Sequence, residues 1–343
     1  MPSPGGMRLG LVGFGRLARE YYLPALRDLD DARIVAVADP LHESRMEAVR
    51  RLPAVRVYEN HLAMLDSASL DAVLVASPPS THLRAWNDAA ARDLPVFMEK
   101  PFVLCGQLDA IARGSAERRL MVDFNRRFWP TYRRIGALLR EGAFGSPVIA
   151  DFQLHTDVLS WSTVTRHRFS DEEGGVLHDL GGHAIDLAGD LMGADPVSVA
   201  SEESTRRWPD DRLRLELLFG DGSRFRCDLA WRDRNRERLA IQGPSGGLRL
   251  EEPNMVAHFA SDGAGRPRVF ERVLDAAVFG YRAVRRKRAM SCFSIGSALA
   301  SFVRTAREGK AFSPGFEDAV RNVRWLEAAR CSTKNGGKAV RPA

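Results

Sequence analysis

Cysteine is scarce in this chain: four residues in 343, Cys105, Cys227, Cys292 and Cys331, and no two of them form a C-x-x-C pair. That excludes a disulfide framework and a zinc site of the usual cysteine spacing, and it predicts free thiols in a cytoplasmic setting. Long apolar runs are missing as well. No stretch of eighteen apolar residues occurs, so no membrane span is expected. The opening Met1-Pro2-Ser3-Pro4-Gly5-Gly6 has no apolar core of the kind a secretory signal needs, and it reads as a loose tail. Lysine is nearly absent, occurring only at 100, 287, 310, 334 and 338, while Lys and Arg together number 50. Arginine is thus the default base, and a lysine at 100 stands out. The net charge of +6 is modest. There is no internal repeat and no low-complexity segment.

What the chain does have is apolar content of 45%, enough for a real core, over a length that predicts two domains. The first forty residues organise the rest. Arg8 to Val12 reads as a buried strand, and Gly13-Phe14-Gly15-Arg16-Leu17-Ala18 follows as a G-x-G-x-x-A turn. A helical pattern then runs to about Leu29, and a second strand, Arg33 to Ala38, ends on Asp39. This is the layout of a dinucleotide-binding unit. Gly13 permits the tight turn, Gly15 lets the backbone approach a pyrophosphate, and Ala18 lets the helix pack on the strand. The helix start offers free N–H groups and the positive end of its dipole to the phosphates. Asp39 is placed to accept hydrogen bonds from ribose hydroxyls and to repel a 2′-phosphate, which predicts NAD over NADP. Arg45, six residues on, would reverse that preference if it reached the site.

Alternation of strand and helix continues to Val122. Asn60 is read as the cap of a short helix, and Ser80 or Thr81 as the cap of one running to about Arg92. Asp71 to Ala76 is a strand that breaks at Ser77-Pro78-Pro79, since proline cannot donate to a sheet ladder. The loop so formed, with His82, lies where ligands of open parallel sheets bind. His82 is equally readable as a cap or a surface histidine. Pro95 to Met98 is a further strand, ending on Glu99-Lys100-Pro101. A charged pair at the end of an apolar strand is costly unless paired or used. A helix from Leu108 to Arg118 and a strand Leu120 to Val122 complete a parallel, doubly wound sheet of Rossmann type.

Near Asp123 the pattern changes. An amphipathic helix, Thr131 to Glu141, leads into longer strands: Val148–Thr156, Val197–Ser204, Leu213–Phe219, Arg224–Trp231 and Arg238–Gln242. Phe219-Gly220-Asp221-Gly222-Ser223 is a hairpin signal. An α+β second domain with an open mixed or antiparallel sheet is expected, dividing the chain at 1–124 and 125–343, with the closing helices able to pack back on the first domain. Within it, Gly174-Gly175 enters a helix to about Leu191 that carries His178, Asp179, His183 and Asp186. Asp179 and His183 are four apart, so an α-helix would stack them on one face, where a carboxylate can hold a histidine ready for proton transfer. His178 and His183, five apart, diverge, and no metal site is expected. Val273 to Arg288 reads as an extra basic helix, without the interleaved aromatics that nucleic-acid binding would call for.

Taken together, Gly13-Phe14-Gly15 with Leu23-Pro24-Ala25, Ala76-Ser77-Pro78 with His82, Glu99-Lys100-Pro101, Asn125-Arg126-Arg127-Phe128, and Gly174-Gly175 with Asp179 and His183 resemble the glucose–fructose oxidoreductase and inositol dehydrogenase (Gfo/Idh/MocA) family. The resemblance extends to the closing helices, Phe302–Gly309 and Glu317–Ala329. It implies a nicotinamide cofactor and redox chemistry at a hydroxyl- or keto-bearing carbon of a sugar or cyclitol. It implies Lys100, Asp179 and His183 as the catalytic set. The cofactor-facing residues it implies are Gly13, Phe14, Gly15, Arg16, Leu17, Asp39, Ser77, Pro78, His82, Glu99 and Lys100. Substrate contacts are expected from Asn125, Arg127 and His155, and from Trp161, Arg166 and Arg168 in the loop Asp157–Glu173. A homo-oligomer is expected by the same analogy, with no nucleic-acid or membrane partner. Two other functions use the same residues or fold: an NAD-dependent glycosidase or lyase that oxidises its sugar transiently, and a non-catalytic dinucleotide sensor.

Overall fold

The structure is a computed structural model. It describes residues 6–160, 169, 174–205, 211–231, 235–251, 255–261, 267–274 and 290–342, with backbone alone across 251–292. Two compact units result: Met1–Asn125 with Ser291–Val323, and Arg126–Met290 with Arg324–Ala343.

The first unit is built on six parallel strands: β1 (Met7–Val12), β2 (Ala32–Ala38), β3 (Arg56–Tyr58), β4 (Ala72–Val75), β5 (Val96–Met98) and β6 (Leu120–Val122). Their order is β3-β2-β1-β4-β5-β6, the doubly wound arrangement with its crossover between β1 and β4. The strands are short and apolar because both faces are covered; β4 and β5 are buried throughout. The covering helices are α1 (Leu23–Leu26), α2 (His42–Arg51), α3 (His61–Ser67) and α4 (His82–Ala90). On one side Trp86, Phe102 and Phe316 meet in edge-on and tilted contacts 5.5 to 6.0 Å apart.

At three places the local structure departs from the sequence pattern. The first helix opens as a π-turn, Ala18–Tyr22, before α1. The helix expected over Leu108 to Arg118 is two short 3-10 pieces, Leu108–Ala110 and Gly114–Arg119. Gly114 separates them at φ +91°, a conformation that an α-helix cannot hold. Asn60 caps α3 as expected, accepting from the Ala63 N–H at 2.9 Å. Thr81 does not cap α4 with its side chain; its hydroxyl donates to the Pro78 carbonyl at 2.8 Å.

The second unit holds eight strands in the order β14-β13-β12-β11-β7-β10-β9-β8. They are β7 (Ile149–Thr156), β8 (Pro196–Ser204), β9 (Arg212–Phe219), β10 (Arg224–Trp231), β11 (Arg236–Gly243), β12 (Gly246–Glu251), β13 (Met255–Ser261) and β14 (Pro267–Leu274). All neighbours are antiparallel except β7 and β10, so the sheet is mixed. β12 to β14 follow the last strand that the sequence pattern marks, and most of the basic helix expected over 273–288 lies outside the described residues.

Alternation along these strands separates two faces. Ala150, Phe152 and Leu154 of β7, with Phe225, Cys227 and Leu229 of β10, are buried on the inner face. The outer face is a charge mosaic: Arg226 and Arg224 bond to Glu216 at 3.1 and 3.2 Å, and Arg212 to Asp228 at 2.9 Å. Helices α5 (Pro130–Arg140) and α6 (Gly182–Met192) belong to this unit, and their contact packs helix on helix.

The chain closes with α7 (Met290–Glu308) and α8 (Phe316–Lys334). Phe302 of α7 lies 5.5 Å from Phe97 of β5, so this segment completes the first core. In α8 the stripe Ala319, Val320, Val323, Leu326 and Ala329 is at most 3% exposed. Replacing Leu326 by Asp should therefore cost about 3 kcal/mol or more, the loss of a core leucine plus the burial of a charge. Thermal unfolding checks this, and a variant of unchanged melting temperature that lost only turnover would refute the structural role.

Candidate active site

In the first unit the site begins at the end of β1. The Gly13 N–H donates to the Ala38 carbonyl at 2.8 Å, and Gly13 sits at φ +88°. A Cβ there would lie 2.9 Å from the backbone of Ala76 and Ser77, so no other residue fits. Gly15 differs: a Cβ on it would meet nothing within 4 Å. Internal packing does not require that glycine. The open space at a glycine turn before a helix suits a pyrophosphate, so the residues present fit a dinucleotide.

Asp39 ends β2 and is 7% exposed. Its Oδ2 accepts the Phe14 N–H at 2.8 Å, and its Oδ1 accepts the Leu41 N–H at 2.9 Å. The acid thus ties the glycine turn to the end of the second strand. Arg45 does not counter it. Its Nη1 donates to the carbonyls of Asp39 and Pro40 at 2.9 Å each, and its Nη2 lies 3.3 Å from Glu59. With that cation committed to carbonyls and Glu59, NAD should bind more tightly than NADP by roughly tenfold or more, since Asp39 repels a 2′-phosphate. Comparing the two dissociation constants checks this; tighter NADP binding would refute it.

Arg16 reaches Glu20 at 3.3 Å and leaves Leu17 at the turn. Ser77 and Thr81 share a hydrogen bond of 2.6 Å beyond Pro78. His82 is neither a surface residue nor a side-chain cap. It is fully buried, with Nδ1 2.7 Å from the Pro101 carbonyl and Nε2 3.0 Å from that of Ser77. It pins the proline loop to the segment bearing Glu99 and Lys100. Tyr22, unnoticed in the sequence because it falls in an apolar stripe, donates its hydroxyl to Glu99 at 2.9 Å. Asn125 follows β6 and acts on the buried Asp123.

In the second unit, Gly175 at φ +78° turns the chain into the helical segment. Its first turn, Leu177–Gly181, is π-helical, and α6 follows. Asp179 thus lies in a wider i→i+5 turn, a distortion common at functional positions, while His183 lies in the α-helix that follows. His178 is buried, with Nδ1 2.8 Å from the Gly174 carbonyl, a local structural bond. Asp179 Oδ2 accepts the indole N–H of Trp231 at 3.0 Å. Arg126 attracts Asp179 and forks onto Glu237 at 3.0 and 3.1 Å, while Tyr132 donates to the same Glu237 at 2.6 Å. Burial and the Glu237 charge push the Tyr132 phenol well above its ordinary value, so it stays a donor. Trp231, Arg126, Glu237 and Tyr132 were all missed. The strand alternation that puts Trp231 and Glu237 on the inner face was the one signal available.

Two expected substrate residues have protein partners of their own. Arg127 clamps the buried Asp186 through Nε at 3.0 and 3.1 Å and Nη2 at 2.5 Å. His155 lies on the outer face, 3.3 Å from Asp228, while Trp231 meets Asp179 from the inner face; the strand's two-residue period separates them. Hydrogen bonds from His155 and Arg212 hold the Asp228 carboxyl well below the usual range. The groove of about 580 Å³ lined by Arg212, Arg226 and Asp228 is on that outer face, away from Asp179. Trp161, Arg166 and Arg168 lie outside the described residues. Among the described residues no helix is long and apolar enough to cross a membrane.

A Rossmann sheet with an open glycine cradle, joined in one chain to a mixed-sheet unit, is the architecture of an NAD-binding oxidoreductase. The family described as "Oxidoreductase family, NAD-binding Rossmann fold" matches residues 7–123, and the GFO/IDH/MocA C-terminal domain matches residues 132–249. The chain belongs to the GFO/IDH/MocA family. It is 31% identical over 227 residues to the rhizopine catabolism protein MocA of Rhizobium meliloti, covering 63% of this chain and 68% of that one. It is 30% identical over 254 residues to D-apiose dehydrogenase of Paraburkholderia graminis, covering 70% and 66%. The solved structure of myo-inositol 2-dehydrogenase from Lactobacillus plantarum shares the fold, with a TM-score of 0.81, 21% identity, and coverage of 98% of this chain and 100% of that one.

Proposed function

We propose that the protein oxidises or reduces a single CH–OH or keto carbon of a sugar, cyclitol or keto-sugar derivative with NAD. The observation that carries this is the pairing of chemistries within one chain. The open cradle at Gly15 sits in the same unit as Lys100, and Asp179 is held by Trp231 on the helical segment that bears His183. The names of relatives such as D-apiose dehydrogenase support the substrate class. When bound, the nicotinamide supplies the redox chemistry at the carbon. Gly13, Gly15 and the helix start would hold the pyrophosphate, and Asp39 the ribose.

The residues of the chain handle the proton and the developing charge. In oxidation, neutral His183 takes the hydroxyl proton as general base. Lys100 donates a charge-assisted hydrogen bond to the same oxygen and stabilises it as it becomes alkoxide-like, then carbonyl. Asp179, fixed by the Trp231 indole, binds a neighbouring hydroxyl or orients His183. A homo-oligomer is part of the same reading. Screening sugars, cyclitols and keto sugars for a change in nicotinamide absorbance tests the proposal. Net NADH formation on one such compound is the expected result; cleavage of a glycoside without net NADH would overturn it.

A further inference from the structure

At the carboxyl ends of β5 and β6 two acids stand side by side. Met98 and Val122 are register partners, so Glu99 and Asp123 come next on neighbouring strands. The Asp123 N–H donates to the Met98 carbonyl at 2.8 Å, which holds that offset. Asp123 is 0% exposed. Among the described residues, neither of its carboxyl oxygens meets an ordinary donor in hydrogen-bond geometry. The group acting most directly on it is the Glu99 carboxyl, and the Lys100 ammonium and the Asn125 amide also act on it. Glu99 is better served: it accepts from the Tyr22 hydroxyl at 2.9 Å and is attracted by Lys100.

Two carboxyls in contact and away from water cannot both ionise. Burial first, then the Glu99 charge, holds the Asp123 carboxyl well above the usual carboxylate range; burial also raises Glu99. The unequal supply of donors decides which acid keeps the proton. Glu99 has a phenol and a cation, so it is the carboxylate. Asp123 has neither bonded to it, so it carries the proton and donates to Glu99.

We propose that Asp123 and Glu99 share one proton and act together as a single-charge positioning pair behind Lys100. One negative charge keeps the ammonium charged and in place. A second would bind it more tightly to the strand ends and draw it off the substrate oxygen. Neither acid is asked to touch substrate. The inference rests on the reading of Lys100 as the group that holds the substrate oxygen.

The test uses the whole protein and four variants. Infrared spectra of the wild type at neutral pH should show the C=O stretch of a protonated carboxylic acid, fading as pH rises and absent from Asp123→Asn. No such band, or one untouched by that substitution, would overturn the proposal; the wild-type titration decides even if the variant fails to fold. In kinetics, Asp123→Asn should keep kcat within a few-fold at pH 7, because an amide replaces the acid as donor to Glu99. It should also lose the alkaline fall in rate that ionisation of the pair causes in the wild type. Asp123→Leu, which leaves Glu99 without that donor, and Glu99→Gln, which removes the charge, should each lose about 10- to 100-fold, the worth of one hydrogen bond to a charged group. Equal losses in Asp123→Asn and Glu99→Gln would mean that both acids are ionised and would refute the shared proton. Lys100→Met separates the two readings: if it retained turnover while the infrared band behaved as stated, the pair would stand and the role of Lys100 would fall.

Discussion

Replacing His183 by Asn should lower kcat/KM by about 100- to 10,000-fold, the usual worth of general acid–base assistance, while leaving NAD affinity unchanged. The two effects separate because the residues proposed to hold the cofactor, Gly13, Gly15 and Asp39, belong to the first compact unit and His183 to the second. Asparagine keeps polarity and approximate size but cannot accept the proton. The wild-type oxidation rate should rise with pH as the imidazole loses its proton, and the variant should lose that dependence. Lys100→Met should likewise retain the cofactor and lose most turnover, through the lost stabilisation of the substrate oxygen. A pH–rate profile beside a cofactor titration makes the measurement. Near wild-type turnover in His183→Asn at neutral pH would remove His183 as the acid/base and shift the proton to another group.

The second large effect separates two glycines that lie two residues apart, Gly13 and Gly15. Gly15→Val should leave the melting temperature unchanged, since a Cβ there meets nothing within 4 Å. It should weaken NAD binding by roughly 5- to 140-fold, an overpacking cost of about 1–3 kcal/mol in the space a pyrophosphate would use. Gly13→Ala should do the reverse first, because its Cβ would press on the Ala76–Ser77 backbone at 2.9 Å in a positive-φ conformation. It should lower stability by about 1–3 kcal/mol before any effect on binding. Calorimetry for stability and titration for NAD distinguish them. Full NAD affinity in Gly15→Val would show that the open cradle is not where the cofactor lies.

Much of the architecture is legible in the linear pattern. Short apolar strands ending in glycine, proline or acid describe a sheet covered on both faces, because such strands cannot face water. The long alternating runs from Ile149 onward describe a sheet with one wet face, since a two-residue period is how a strand separates core from solvent. Weakly patterned strands such as Met255–Ser261 and Pro267–Leu274 carry less of that signal and were not read. The 3-10 breaks at Leu108–Ala110 and Gly114–Arg119 replaced a helix because a few apolar residues at helical spacing cannot outweigh a glycine at positive φ.

The sequence by itself determined the residue types that chemistry needs: a glycine turn, an acid after the second strand, a solitary lysine after the fifth, and a histidine and aspartate on one helical segment. Only the tertiary structure decided what each of them touches. The state of Glu99 depends on Tyr22 and Asp123, which lie 77 and 24 positions away in the chain, and the setting of Asp179 depends on Trp231, 52 away. Arg127 and His155 carry suitable groups, yet one is spent on Asp186 and the other faces the opposite side of the sheet. Hydrogen-bond partners are chosen by strand register and sheet face, which are long-range properties of the fold, and no local pattern around a polar residue encodes them.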